Sequence, residues 1–154
     1  MSKTKYIILF LTINFGGLAL GSWLMNNGPM TEWYQQLSKA PWTPPSWVFG
    51  AAWTTIMICF SIYLAYLFSI RNSTYVKTLF IIQVILNVSW NYIFFNQHLI
   101  TLGLIVLVAL TLLIFYLFIS FQDEFMGKIR YLLLPYMVWL CIATSLNAYI
   151  LLNN

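Results

Sequence analysis

Five apolar runs, at residues 6–25, 48–70, 76–95, 99–121 and 131–152, dominate this chain, and Lys77 is the sole charged side chain inside any of them. A helix needs about 20 such residues to cross a hydrocarbon core roughly 30 Å thick, so each run is long enough to span a bilayer. Lipid offers no partner to backbone N–H and C=O groups, which leaves helices and closed barrels as spanning structures. The alternating segments of a membrane barrel are absent. Only 6% of the residues are charged, against about 25% in a soluble domain, so water cannot be the only solvent. The connections Arg71-Asn72-Ser73 and Asn96-Gln97-His98 are short, which favours antiparallel neighbours. The expected fold is an all-α membrane protein, a five-helix transmembrane bundle forming one domain over 1–154, with a long first loop at 26–47.

Lys3 and Lys5 precede the first run, and Ala19-Leu20-Gly21 has the small-residue pattern of a signal-peptide cleavage site. The run is longer than the usual 7–15 residues of such a leader, so it is read as a retained span. Five spans put the termini on opposite sides. Lys3, Lys5, Arg71, Lys77, Lys128 and Arg130 then share the N-terminal side, and Lys39 is alone on the other. The positive-inside rule places the N-terminus in the cytoplasm and the first loop outside. Paired broken helices and internal repeats, marks of many secondary transporters, are not evident.

The first loop is unlike ordinary loops. The stretch KAPWTPPSWVFGAAW, residues 39–53, carries three of seven tryptophans and three of five prolines. Upstream, Thr31 is positioned to cap a short helix on which Trp33 and Leu37, and Met30 and Tyr34, lie four apart. Pro41, Pro44 and Pro45 then forbid helix and stiffen the chain. Trp23, Trp42 and Trp47 fit an interfacial aromatic belt. Trp53 lies deeper, within the second span.

Polar stripes mark the inward faces. Gln83, Asn87, Trp90/Asn91 and Phe94 recur at helical spacing in the third span, and Pro135, Trp139, Ala143 and Asn147 in the fifth. Such amides serve either as interhelical hydrogen-bonding groups or as the few polar contacts of an aromatic pocket. With Trp53, these stripes can enclose an uncharged slot roofed by the stiff loop. Gly17 and Gly21 form a small-xxx-small pair that allows close helix approach, within the chain or between subunits.

Other chemistry is excluded by what is missing. Glu32, Asp123 and Glu124 all lie in connections, so no span holds the carboxylate of a proton-coupled pump. His98 reads as an interface residue, and Cys59 and Cys141 as packing residues. No nucleophile–base pair, metal cluster or phosphate loop can be assembled. No basic surface for nucleic acid is present. Recognition must then rest on shape, stacking and a few hydrogen bonds. Should the ligand be a tetrapyrrole, a metal-free one suits a site with no axial ligand.

The loop pattern of Trp33, Leu37, Lys39, Pro41-Trp42, Pro44-Pro45, Trp47, Phe49 and Trp53 resembles the signature of the tryptophan-rich sensory protein/translocator protein family, also called the peripheral benzodiazepine receptor family. Gln83, Asn87, Trp90 and Phe94-Phe95 in the third span are similar to it as well. So are Pro135-Tyr136, Trp139, Ala143-Thr144 and Leu146-Asn147 in the fifth. The resemblance implies a homodimer in the membrane, most simply a bacterial cell membrane, with its pocket under the first loop. It implies binding of protoporphyrin IX or a related tetrapyrrole, and of isoquinoline carboxamide and benzodiazepine drugs, with no required cofactor and no metal. Ligand-binding residues would be Trp33, Phe49, Trp53, Asn87, Trp90, Trp139, Ala143 and Leu146. Trp53 and Trp139 would take part in light-dependent oxidative breakdown of the porphyrin. Transport of porphyrin or other lipophiles, and ligand sensing in a stress response, are the alternative activities. Cholesterol recognition is doubtful, because the region around Tyr149 lacks the basic residue of the usual pattern.

Overall fold

Lys3–Leu24 (α1), Ser46–Ile70 (α3), Thr74–Asn91 (α4), Ile100–Ser120 (α5) and Leu134–Asn153 (α7) are the long helices of a computed structural model that describes residues 1–154. Two short helices, Glu32–Gln35 (α2) and Met126–Ile129 (α6), lie in the first and last connections. With their flanking turns, five helical segments are long and apolar enough to cross a membrane. Each expected span is matched by one of them.

The helix ends follow local chemistry. Ser2, Thr31 and Ser73 sit in extended conformation before α1, α2 and α4, and each side-chain oxygen accepts from a backbone N–H of the first turn. Pro45 immediately precedes α3, and Pro135 lies in the first turn of α7, where a missing N–H costs nothing. After α1 the chain turns sharply through Asn26, Asn27 and Gly28, all with positive φ. A Cβ on Gly28 would lie 2.8 Å from the Met25 sulfur, so that turn tolerates no side chain there.

Helix α4 departs from simple α spacing at its end. Tyr92–Asn96 forms a π-helical turn, in which the Gln97 N–H donates to the Tyr92 carbonyl at 2.9 Å. Within this turn Phe94 is buried and stacks on Trp90, with ring centres 5.2 Å apart, and it packs into a small core with Phe95 and Ile150.

Packing splits the bundle into a filled end and a hollow end. Near the basic end, Phe10, Phe60, Phe68, Phe80 and Tyr136 meet in tilted and edge-on pairs 4.8–6.4 Å apart. Pairs of this kind contribute about 0.5–1.5 kcal/mol each beyond area burial. Lipid tails are as apolar as leucine, so such packing, with buried hydrogen bonds, must hold the helices together. One such bond joins α1 to α3: Asn14 Nδ2 donates to Ser61 Oγ at 2.8 Å, both buried. The first apolar run is therefore an integral part of the core.

Helices α1 and α4 approach closely where the sequence carries its glycine pair. A Cβ on Gly17 would sit 3.6 Å from Val88, and one on Gly21 only 2.6 Å from Asn91 Nδ2. The small-xxx-small contact is internal. At the basic end, Arg71 and Asp123 form an ion pair, and the Lys3 ammonium lies 4.7 Å from the Tyr66 ring centre. Six basic residues share that end, and Lys39 is at the other.

Candidate functional site

At the hollow end, five helices and the first loop line a partly open cavity of about 440 Å³, within the size range of small-molecule sites. Phe49 and Trp53 come from α3, Asn87 and Trp90 from α4, and Trp139 and Ala143 from α7. All six are among the residues that the family resemblance implies for the pocket. Gly17 and Leu18 of α1, and Leu107 and Leu110 of α5, complete the walls.

The roof is the loop. Tyr34, Lys39, Thr43 and Pro44 line the cavity from above. Several side chains pin the loop to the bundle. Ser38 N–H donates to Asn154 Oδ1 at 2.8 Å, and Asn154 Nδ2 returns a bond to the Ser38 carbonyl at 3.0 Å. Trp42 Nε1 donates to Ser145 Oγ at 3.0 Å, and its ring meets Tyr149 edge-on. Trp23 and Trp47 are exposed, as the interfacial reading expects, and Trp42 is half-exposed despite its clamp.

Two residues expected in the ligand site are not among the lining residues. Trp33 stacks on His98, with ring centres 3.9 Å apart and planes within 8°, and meets Phe94 edge-on. It thus fastens α2 to the turn after α4, where His98 adopts φ 59°. Leu146 is buried in α7 one turn beyond Ala143. The short loop helix also differs from its expected face. Met30 belongs to a 3-10 turn before the Thr31 cap and is exposed, so it does not pair with Tyr34.

The amides divide between two roles. Asn87 faces the cavity. Gln83 is buried below it and donates to the Tyr136 hydroxyl at 2.6 Å. Asn147 is also buried, and it accepts from Trp90 Nε1 at 3.1 Å and donates to the Ile100 carbonyl at 3.1 Å. That amide orients the indole on the cavity wall and ties α4, α5 and α7 together.

One expectation is overturned by charge. The slot is not uncharged, because Lys39 lies at its roof. Its ammonium sits 4.6 Å from the centre of the Tyr34 ring and donates to the Gln35 and Leu37 carbonyls at 3.3 and 3.4 Å. Burial pushes the Tyr34 phenol above its ordinary range, so it stays neutral. A cation with only neutral partners is a ready contact for an anionic edge of a ligand.

Neither histidine nor cysteine lines the cavity, and no cluster of metal-ligating side chains exists. The sulfur of Met25, which does line it, rests against Gly28. The lining is thus aromatic and apolar, with one cation and a few hydroxyl and amide groups. Sequence reasoning missed Lys39, because the loop residue bears no mark of pointing inward. It also missed Leu107 and Leu110, which stand in a helix whose apolar residues cover every face. Phe95, in the π turn, also lines the wall, and Phe94 stacks on Trp90 beside it.

Comparison with known proteins agrees with this architecture. A model of the TspO/MBR family matches residues 8–152. The chain is 33% identical to the tryptophan-rich protein TspO of Archaeoglobus fulgidus, covering 100% of this chain and 99% of that protein. It is 32% identical to protein CrtK of Rhodobacter capsulatus, over 96% of this chain and 91% of that one. It is 31% identical to the tryptophan-rich protein TspO of Bacillus cereus, over 96% and 94% of the respective chains.

Proposed function

Since this chain belongs to the TspO/MBR family and is a multi-pass integral membrane protein, we propose that it binds a tetrapyrrole, with protoporphyrin IX the leading substrate, and promotes its light-dependent oxidative breakdown. The observation that carries this reading is a cavity holding three indoles, Trp53, Trp90 and Trp139, under a roof with one cation. Flat aromatic walls favour stacking on a macrocycle, and Lys39 would pair with a propionate. No histidine or cysteine lines the wall, the Tyr34 phenol is kept neutral by burial and the Met25 sulfur rests against Gly28, which together favour a metal-free ring.

Light absorbed by the porphyrin supplies the energy, and dioxygen is the oxidant. The protein's part is placement and exclusion of water, as in cofactor proteins generally. Trp53 and Trp139 would donate electrons to the excited ring or intercept reactive oxygen. Neither indole N–H has a hydrogen-bond partner within the chain, whereas Trp90 is held by Asn147. The same cavity would admit isoquinoline carboxamide and benzodiazepine drugs. A homodimer in a bacterial cell membrane, with its N-terminus cytoplasmic, is the assembly we propose from the charge asymmetry and the family.

Illumination of the purified protein with protoporphyrin IX tests the reading. Bleaching should slow in Trp53→Phe and Trp139→Phe while binding persists. Equal bleaching rates in wild type and both variants would remove the tryptophan role. Light-independent flux of porphyrin into vesicles would instead favour transport.

A further inference from the structure

A second hollow lies on the outside of the bundle. Between α3 and α7 runs an open groove of about 480 Å³, lined on one side by Ala51, Ala52 and Thr55 and on the other by Pro135, Val138 and Trp139. The small alanines face a proline and a valine, so the two helices leave a gap that larger side chains would close. Thr55 is its one polar lining residue, and its hydroxyl donates to the Ala51 carbonyl of its own helix at 2.9 Å. Nothing in the groove therefore asks for water. Its walls belong to two spanning segments, and Val138 is 57% exposed, so the surface meets acyl chains.

Trp139 lines both this groove and the inner cavity. Its indole is 5% exposed and is the partition between them, braced edge-on by Phe49 at 5.1 Å. No hydrogen bond tethers the indole, unlike those of Trp42 and Trp90. Small residues, Ala52 on the groove side and Ala143 on the cavity side, stand next to it. Meanwhile the loop above the cavity is fastened at Ser38 and Trp42.

We propose that the α3–α7 groove is a membrane-facing binding site through which flat apolar ligands pass from the bilayer into the cavity, with the Trp139 indole as the gate. The inference rests on the cavity being a ligand site, as proposed above. A lipophile partitions into the bilayer before it meets the protein, so the groove receives it where its concentration is highest. Rotation of one untethered ring then opens the partition while the loop remains closed.

A plug in the groove raises the barrier in both directions and leaves the bound state alone. In phosphatidylcholine liposomes loaded with protoporphyrin IX, stopped-flow energy transfer from tryptophan to porphyrin reads association and dissociation. Ala51→Phe and Val138→Phe should slow both rate constants by about tenfold, equivalent to about 1.4 kcal/mol of added barrier. Kd should stay within about twofold, a change near 0.4 kcal/mol. Ala51→Leu, a milder plug, should give a smaller slowing of the same form, and Leu112→Phe on the exposed face of α5 should change neither rate. Unchanged rates with normal Kd in all plugged variants overturn the route and leave the cavity reading intact. Faster dissociation with weakened Kd overturns the gate by making the groove part of the resting site. Wild-type protein that binds no porphyrin removes the cavity reading, and the route with it.

Discussion

Replacing Asn147 by alanine should loosen three helices at once and free a wall of the cavity. The amide accepts from Trp90 Nε1 and donates to the Ile100 carbonyl, each at 3.1 Å, and is almost fully buried. Interhelical hydrogen bonds in membrane proteins average about 0.6 kcal/mol, with a maximum near 1.7, so the two together contribute about 1.2 kcal/mol. Leaving the Trp90 N–H without a partner adds a desolvation penalty, which brings the expected loss to about 1–3 kcal/mol. Trp90→Phe removes only the first bond, while keeping a ring to stack on Phe94. The double variant Asn147→Ala/Trp90→Phe should therefore be less destabilised than the sum of the singles, by about 0.6–1.7 kcal/mol. Reversible unfolding in mixed detergent micelles measures all four corners of the cycle. Ligand affinity should fall in Asn147→Ala, because the Trp90 indole loses its orientation. Additivity within about 0.3–0.5 kcal/mol would refute the coupling and return Asn147 to a purely local role.

Three further outcomes follow from separate contacts. Gly21→Val drives a branched side chain into Asn91 Nδ2, which would lie 2.6 Å from the new Cβ. It should cost about 1–3 kcal/mol by unfolding, with partial recovery in Gly21→Val/Asn91→Ala, whereas Gly16→Ala, with nothing within 4 Å, should be tolerated. Lys39→Met should weaken protoporphyrin IX binding about tenfold, or about 1.4 kcal/mol, in a titration of porphyrin fluorescence. It should leave the dimethyl ester unaffected, since that ligand has no carboxylate to pair. Finally, the Met126 backbone N–H, and then the Arg71 guanidinium, hold the Asp123 carboxyl below its ordinary range. A depressed folded pKa stabilises above the unfolded value of about 4 and is lost as pH falls through the folded one. Melting temperatures of wild type should drop at the acid end more than those of Asp123→Asn.

The loop illustrates how far a pattern carries. Pro41, Pro44 and Pro45 announce a stiff connection, and the structure has one, pinned by Ser38 and Trp42. The partners, Asn154 and Ser145, are 116 and 103 residues away, and no local signal points to them. Trp33 shows the same limit. Its place in the loop motif gives no hint that it stacks on a histidine in a left-handed turn 65 residues away.

What the sequence by itself determined is the solvent, the number of spans and their alternation, and which faces of the third and fifth turn inward. These follow from length, hydropathy and the expense of polar groups in lipid, all of which act along a single helix. Tertiary structure alone decided that Gly17 and Gly21 lie against α4, and that Asn147 holds Trp90. It also decided that Lys39 enters the roof, and that one indole divides an inner cavity from a groove open to lipid. Each of these depends on which residue of a distant helix stands opposite. In apolar helices that choice is made by side-chain shape, and shape complementarity leaves no period in the sequence to read.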